Sequence, residues 1–385
     1  MADELAMVMT DDGAPAGAPG LPGLLPRQEI RALVQAGHLR TNGDFEDGQF
    51  QPASLDLRLG SRAYRVRASF LPGRGMTVEE KLADLGYVEI DLDKGAVLER
   101  GCVYVVELLE HLDLPDTLSA MANPKSSTGR LDVFTRLIAD RSDVFDGVSQ
   151  GYRGRLYAEV SPRSFSITVR RGSRLNQIRF RRHGTGQDDA GNVRLSDRDL
   201  QALHGEVRIV DGELKVRNGL VLHIELGGIG PDRLVGYRAQ RHTGLIDVDN
   251  VGGYRFEDFW ETIHARDGKL ILDPNEFYIL ASKERLHIPP GMAAEMIPID
   301  PSMGEFRVHY AGFFDPGFGS TPGGVPGSRG VLEVRSHEVP FILDDGQMVC
   351  RLAYERMAAR PDGLYGQIGT SNYQGQELKL SKHFR

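Results

Sequence analysis

The sequence predicts an all-β protein with minor helices, built as two tandem domains of one kind. Two observations carry this. Tyr104 to Pro115 (YVVELLEHLDLP) and Tyr278 to Pro289 (YILASKERLHIP) share an aromatic start, an apolar run and a closing Leu-x-Leu-Pro or Leu-x-Ile-Pro, 174 positions apart (278 − 104). Glu159 and Glu333 keep that offset, as do Gly172 and Gly346, and three segments at one spacing argue for a duplicated domain. The second observation is the density of short Val-, Ile-, Leu-, Tyr- and Arg-rich runs broken by Gly, Pro and Asp, the pattern of a barrel or sandwich in each copy.

The opening residues 1–23 are rich in Ala, Gly and Pro, carry Asp3, Glu4, Asp11 and Asp12, and lack the basic start of a secretory signal, so they read as a disordered arm. Leu25 to Val34 follows, with apolar residues at 30, 33 and 34 behind Pro26 and a stop at Gly37: a short amphipathic helix. Strands are expected at Ser54–Gly60, Ala96–Leu109, Gly154–Val160, Ser166–Val169 and Asn176–Phe180, which sets the first domain at 24–182. Residues 183–194 form a linker by composition. Leu195 to Leu203, with Ser196 as N-cap and Gly205 as stop, repeats the opening helix and begins a second domain at 195–358. Its strands are expected around Leu220–Leu226, Leu270–Leu280, Val331–Val334 and Met348–Tyr354, with Phe256–His264 as a helical insertion and Trp260 as core packing. From residue 359 to 385 the glycines 363, 366, 369 and 375, threaded with Tyr365 and Tyr373, read as a frayed end or as a flexible lid that orders over ligand.

The formal charge of −8 argues against a nucleic-acid polymer or an anionic membrane as main partner, since both need a basic face. A small anion needs only a local basic pocket, and Arg153, Arg155, Arg163, Arg170, Arg174 and Arg179 crowd the end of the first copy, although such strand arginines are as often solvated edges. Cys102 and Cys350 are the only cysteines and do not occupy equivalent slots, so a disulfide framework is not expected and a reducing cytoplasm fits. No apolar run approaches the length of a membrane span.

The copies differ where a polar site would sit. Pro124-Lys125-Ser126-Ser127-Thr128-Gly129-Arg130 in the first becomes Pro298-Ile299-Asp300-Pro301-Ser302-Met303-Gly304 in the second. Two hydroxyls, an ammonium and a guanidinium suit a phosphate-bearing ligand, though such a stretch is more often an exposed turn. In Gly154 to Val160 a period of two places Leu156, Ala158 and Val160 on one face and Arg155, Tyr157 and Glu159 on the other. A metal centre is not expected. His223-Ile224-Glu225 has no Cys-x-x-Cys to complete a zinc deaminase signature, and neither His-Glu-x-x-His nor EF-hand spacing occurs. Gly-x-Ser-x-Gly is absent as well.

Together these segments resemble the dCTP deaminases, relatives of the dUTPases, in a long form with two such domains. The opening helix with Gln51 to Gly60 is similar to that family's start, Pro124 to Arg130 to its Ser-Ser-x-x-Arg motif, Gly151-Tyr152-Arg153-Gly154 with Glu159 to its glutamate motif, and Tyr365 to Gln376 to its closing lid. The resemblance implies two dUTPase-like β-barrels, the first active and the second, which keeps Phe314-Asp315-Pro316-Gly317-Phe318 and Glu333 but not the Ser-Ser motif, catalytically silent. It implies zinc-independent conversion of dCTP and water to dUTP and ammonia, with Glu159 shuttling protons, Ser126 and the Ala139 carbonyl holding the water, and Arg130 and Arg141 orienting the glutamate. Lys125, Ser126, Ser127, Tyr365, Asn372 and Gln376 would bind the nucleotide, with Mg2+ carried on its triphosphate and dTTP as a feedback ligand. A homotrimer is the implied assembly. A dUTP diphosphatase, alone or combined with the deaminase, and a non-catalytic nucleotide-binding scaffold are the rival expectations.

Overall fold

The structure is a computed structural model that describes residues 20–184, 193–298, 306–309, 312–321, 324, 326–336, 338–368 and 371–385. Most of the expected arm and linker, and the second copy's 299–304 segment, lie outside the described residues. Strands dominate. The helix Arg27–Gln35 buries Ile30 and Leu33, two of the three apolar positions that predicted it, and Asp197–Glu206 is capped by Ser196, whose hydroxyl accepts from the Asp199 N–H. The duplication is visible in topology. In the first copy Leu59–Val66, Val103–Asp113, Arg153–Pro162 and Val133–Ala139 lie side by side in that order. In the second, Leu234–Ala239, Phe277–Leu286, Ser328–Ser336 and Phe306–His309 repeat it. The second sheets correspond too, with Asn176–Arg182 beside Leu118–Pro124 and Met348–Arg356 beside Met292–Pro298.

The two copies share a core instead of meeting as separate domains. Phe165 and Ile167 of the first copy pack in one apolar cluster with Phe259, Trp260, Phe277 and Val331 of the second. Ile246–Asp247 joins the first copy's Ile167–Val169 as a parallel strand. Trp260 is buried among aromatic rings, as expected for packing. The segment around it is not helical, however: Phe256–Asp258 is a single 3-10 turn and Trp260–His264 is a strand paired with Leu234–Ala239. Nine residues hold both, too few for helical and strand periods to separate. The expected long strands 96–109 and 270–280 are each interrupted, by a turn at residues 99–102 and by one at residues 273–276. Cys102 and Cys350 are both free thiols, and among the described residues no helix is long and apolar enough to cross a membrane.

Candidate active site

Pro124 ends a strand, Lys125 is extended at φ −66°, ψ 148°, and Ser126–Gly129 makes one helical turn. The turn is fastened by the Thr128 hydroxyl, which donates to the Leu175 carbonyl at 2.9 Å. This turn opens onto a cavity of about 780 Å³ counted with the solvent space of its open mouth. The first copy supplies Asp56, Lys125, Ser126, Ser127 and Arg130. The second supplies Phe314, Asp315, Phe318, Val331 and Glu333, and the tail supplies Tyr365, Asn372, Tyr373 and Gln376.

Each polar wall is fixed. Arg130 is 3% exposed; it donates to the Lys379 carbonyl at 2.7 Å and to Gln376 Oε1 at 3.0 Å, and its guanidinium lies 3.9 Å from the Tyr373 ring centroid. Its Nε is buried without a hydrogen-bond partner. Lys125 Nζ pairs with Asp56 Oδ2, while Asp56 Oδ1 is buried and unpartnered. Gln376 also donates to the Arg329 carbonyl at 2.9 Å, so it joins the first copy's Arg130 to the strand that carries Glu333. Asp315 accepts from Arg179 at 3.0 Å, and burial pushes its carboxyl above the usual carboxylate range. Arg179 is itself buried and reaches across the copies to the Ala294 and Phe314 carbonyls, so this strand arginine is no solvated edge.

The tail is docked on the second copy. The Tyr365 N–H donates to the Pro316 carbonyl at 2.8 Å, and its ring lies 5.7 Å from that of Phe318. Gly317 makes room: its φ is +94°, and a Cβ there would stand 2.8 Å from the Leu364 side chain and 3.0 Å from the Tyr365 nitrogen. Asn372 lines the cavity and its carbonyl accepts from Lys379 Nζ at 2.9 Å.

Every nucleotide-binding residue expected from sequence therefore meets here, namely Lys125, Ser126, Ser127, Tyr365, Asn372 and Gln376, together with Arg130. Glu159, Ala139 and Arg141 do not line this cavity. Glu159 is buried against Arg136, which donates to its Oε1 at 2.7 Å and also bonds Ser69 and stacks 3.4 Å from the Phe145 ring centroid. Ala139 is buried opposite Leu156 between paired strands, and Arg141 is exposed at φ +55°. The glutamate in the cavity is Glu333 of the copy expected to be silent.

Comparison with known proteins identifies the family. Residues 21–185 match the 2'-deoxycytidine 5'-triphosphate deaminase N-terminal domain, and residues 196–384 match the C-terminal domain of the same family. The crystal structure of 2'-deoxycytidine 5'-triphosphate deaminase from Agrobacterium tumefaciens is 54% identical, with 90% of this chain and 98% of that chain covered and a TM-score of 0.85. This chain belongs to the dCTP deaminase family. A "dCTP deaminase, dUMP-forming" of Beutenbergia cavernae is 29% identical over 174 residues, covering 43% of this chain and 86% of that protein. A "dCTP deaminase" of Haloarcula marismortui is 30% identical over 155 residues, covering 39% and 75%.

Sequence reasoning missed two features of this cavity: the glutamate in its wall is Glu333, not Glu159, and Asp56 and Asp315 line it too. Their signal was present. The second copy keeps Asp315-Pro316-Gly317-Phe318 and Glu333 while losing the Ser-Ser motif, which is what two complementary halves of one site would do. Among the described residues no cluster of three or more His, Cys, Asp or Glu could hold a metal ion.

Proposed function

We propose that this chain hydrolytically deaminates dCTP to dUTP and ammonia in a composite site, with Glu333 as the proton shuttle. One observation carries the reading: a single cavity gathers Lys125, Ser126, Ser127 and Arg130 of one copy with Glu333 of the other. Lys125 and Ser127 bind the triphosphate, and Ser126 holds the nucleophilic water; Mg2+ enters as part of the substrate. Glu333 takes a proton from water as the oxygen bonds to C4 of the cytosine. It gives that proton to the ring nitrogen and then carries the second proton from the new C4 hydroxyl to the departing amine, so that the C4–N bond breaks and ammonia leaves as uracil forms. Arg130 provides fixed positive charge close to the reacting groups. All these side chains come from one chain, so the reading needs no neighbouring subunit.

Glu333→Gln preserves size and removes both base and acid, and it should lower kcat by about 10²- to 10⁴-fold with dCTP binding largely kept. Glu159→Gln should leave kcat within a few-fold of wild type. A loss in Glu159→Gln alone, or equal losses in both, overturns the assignment. A second reading is motivated by the relatives named dUMP-forming: the site would then also hydrolyse dUTP to dUMP and pyrophosphate. Measuring ammonia and pyrophosphate in one reaction decides, since deamination alone releases ammonia without pyrophosphate.

A further inference from the structure

Catalysis at a composite site requires that two copies hold their reacting groups in register, and one buried ion pair ties the two halves together. Asp132 follows the Ser126–Gly129 turn and Arg130, sits at φ +55° and is fully buried; its N–H donates to the Gly129 carbonyl at 2.8 Å, and its carbonyl accepts from the Arg163 N–H at 2.9 Å. The backbone at Asp132 is therefore part of the turn that presents the serines. Its carboxylate faces the other copy. Arg335 Nε donates to Asp132 Oδ1 at 3.1 Å and Nη2 pairs with Oδ2, a two-point contact of planar guanidinium and carboxylate. The Ser164 hydroxyl donates to Asp132 Oδ2 at 2.6 Å and accepts from Arg335 at 3.2 Å, and Arg335 Nη1 donates to the Asn275 carbonyl at 2.7 Å.

Arg335 lies two residues beyond Glu333 on the strand Ser328–Ser336, so strand alternation puts both side chains on the face turned to the first copy. At the equivalent place in the first copy, 174 positions earlier, stands Ser161. The arginine thus occurs only in the copy whose glutamate reaches the cavity.

We propose that Asp132 and Arg335 are a positioning pair that sets Glu333 against the Ser126–Arg130 turn; this rests on Glu333 as proton shuttle. The pair touches no substrate atom in this assignment, so its loss changes where the carboxylate stands more than how the triphosphate is held. A misplacement of about 1 Å can cost on the order of 10²-fold in rate.

The test uses the full chain with Asp132→Asn, Arg335→Gln, the double variant and Arg335→Lys, measuring kcat, KM for dCTP and melting temperature. The expected result is a fall in kcat of roughly 10- to 100-fold with KM changed by less than about threefold. The double variant should be no worse than the poorer single, and the lysine variant should recover part of kcat. Ser164→Ala trims one hydrogen bond from each partner, and should show the same split in smaller measure even if the charge variants do not fold. Folded variants that keep full kcat, or that raise KM as much as they lower kcat, overturn the proposal. A Glu333→Gln variant that stays active is a separate result and overturns the underlying assignment.

Discussion

Removing residues 380–385 should destabilise the empty protein, which separates a packed strap from a free lid. Leu380 is buried in the shared core, and the Phe384 ring packs 5.4 Å from Phe259 and 5.9 Å from Trp260 by centroids. The backbone is tied as well: the Gly252 N–H donates to the Lys382 carbonyl at 3.0 Å, and Tyr254 exchanges hydrogen bonds with His383 and Arg385. A buried Leu is worth about 2–5 kcal/mol on truncation and a buried Phe about 3–5 kcal/mol. Phe384 is only partly covered, so halving its share leaves roughly 4–7 kcal/mol for the pair. At about 2.1 cal/mol/K per residue a chain of this size has an unfolding entropy near 0.8 kcal/mol/K, so the melting temperature should fall by roughly 5–9 °C. Ser381 also donates to the Ser127 carbonyl at 2.8 Å, so KM for dCTP should rise several-fold as the serine turn loosens. The assay is differential scanning calorimetry of the ligand-free truncated protein beside steady-state kinetics. A melting temperature unchanged within about 1 °C would refute the argument and restore a tail that contributes nothing to the core.

Two further outcomes follow from the site and its surroundings. Burial pushes the Asp146 carboxyl up to about 7, against the hydrogen bond it accepts from the Leu137 N–H, so the folded state holds a proton that the unfolded chain releases. Its share of stability is present in acid and is lost as pH rises to about 7; urea midpoints should therefore show Asp146→Asn gaining on wild type between pH 5 and pH 8, and an equal difference at both pH values rejects it. Removing Mg2+ should weaken dCTP turnover through the triphosphate, whereas a zinc-selective chelator should leave it intact; zinc bound at one per chain and required for activity would reject the proposed chemistry.

The repeat at 174 positions was enough to read two copies of one fold, because a duplicated register of aromatic, apolar and Pro residues survives as a local pattern. The helix Val78–Leu85 was legible but unread: Thr77 and Glu80 form a capping box ahead of the buried Val78 and Leu82. The 3-10 turn at Phe256–Asp258 was not legible, because its nine-residue neighbourhood is shorter than either period needs.

The site divides along the same line. Lys125 to Arg130 form one local cluster whose side chains alone read more often as an exposed turn, and the family resemblance is what marked them as a site. Which glutamate they meet is a question of packing, and the duplicated sequence offers two answers of equal local quality. Glu159 and Glu333 sit at equivalent positions in equivalent strands, and both are buried. Proximity in sequence favours Glu159. The shared core reverses that preference, since the face of the strand Ser328–Ser336 that bears Val331, Glu333 and Arg335 turns toward the first copy's motif. Glu159 instead meets its own copy's Arg136, with Phe145 stacked on that guanidinium. An arginine at 335 against a serine at 161 is the trace that this asymmetry leaves in the sequence. It becomes readable only once Asp132 is known to be the acceptor.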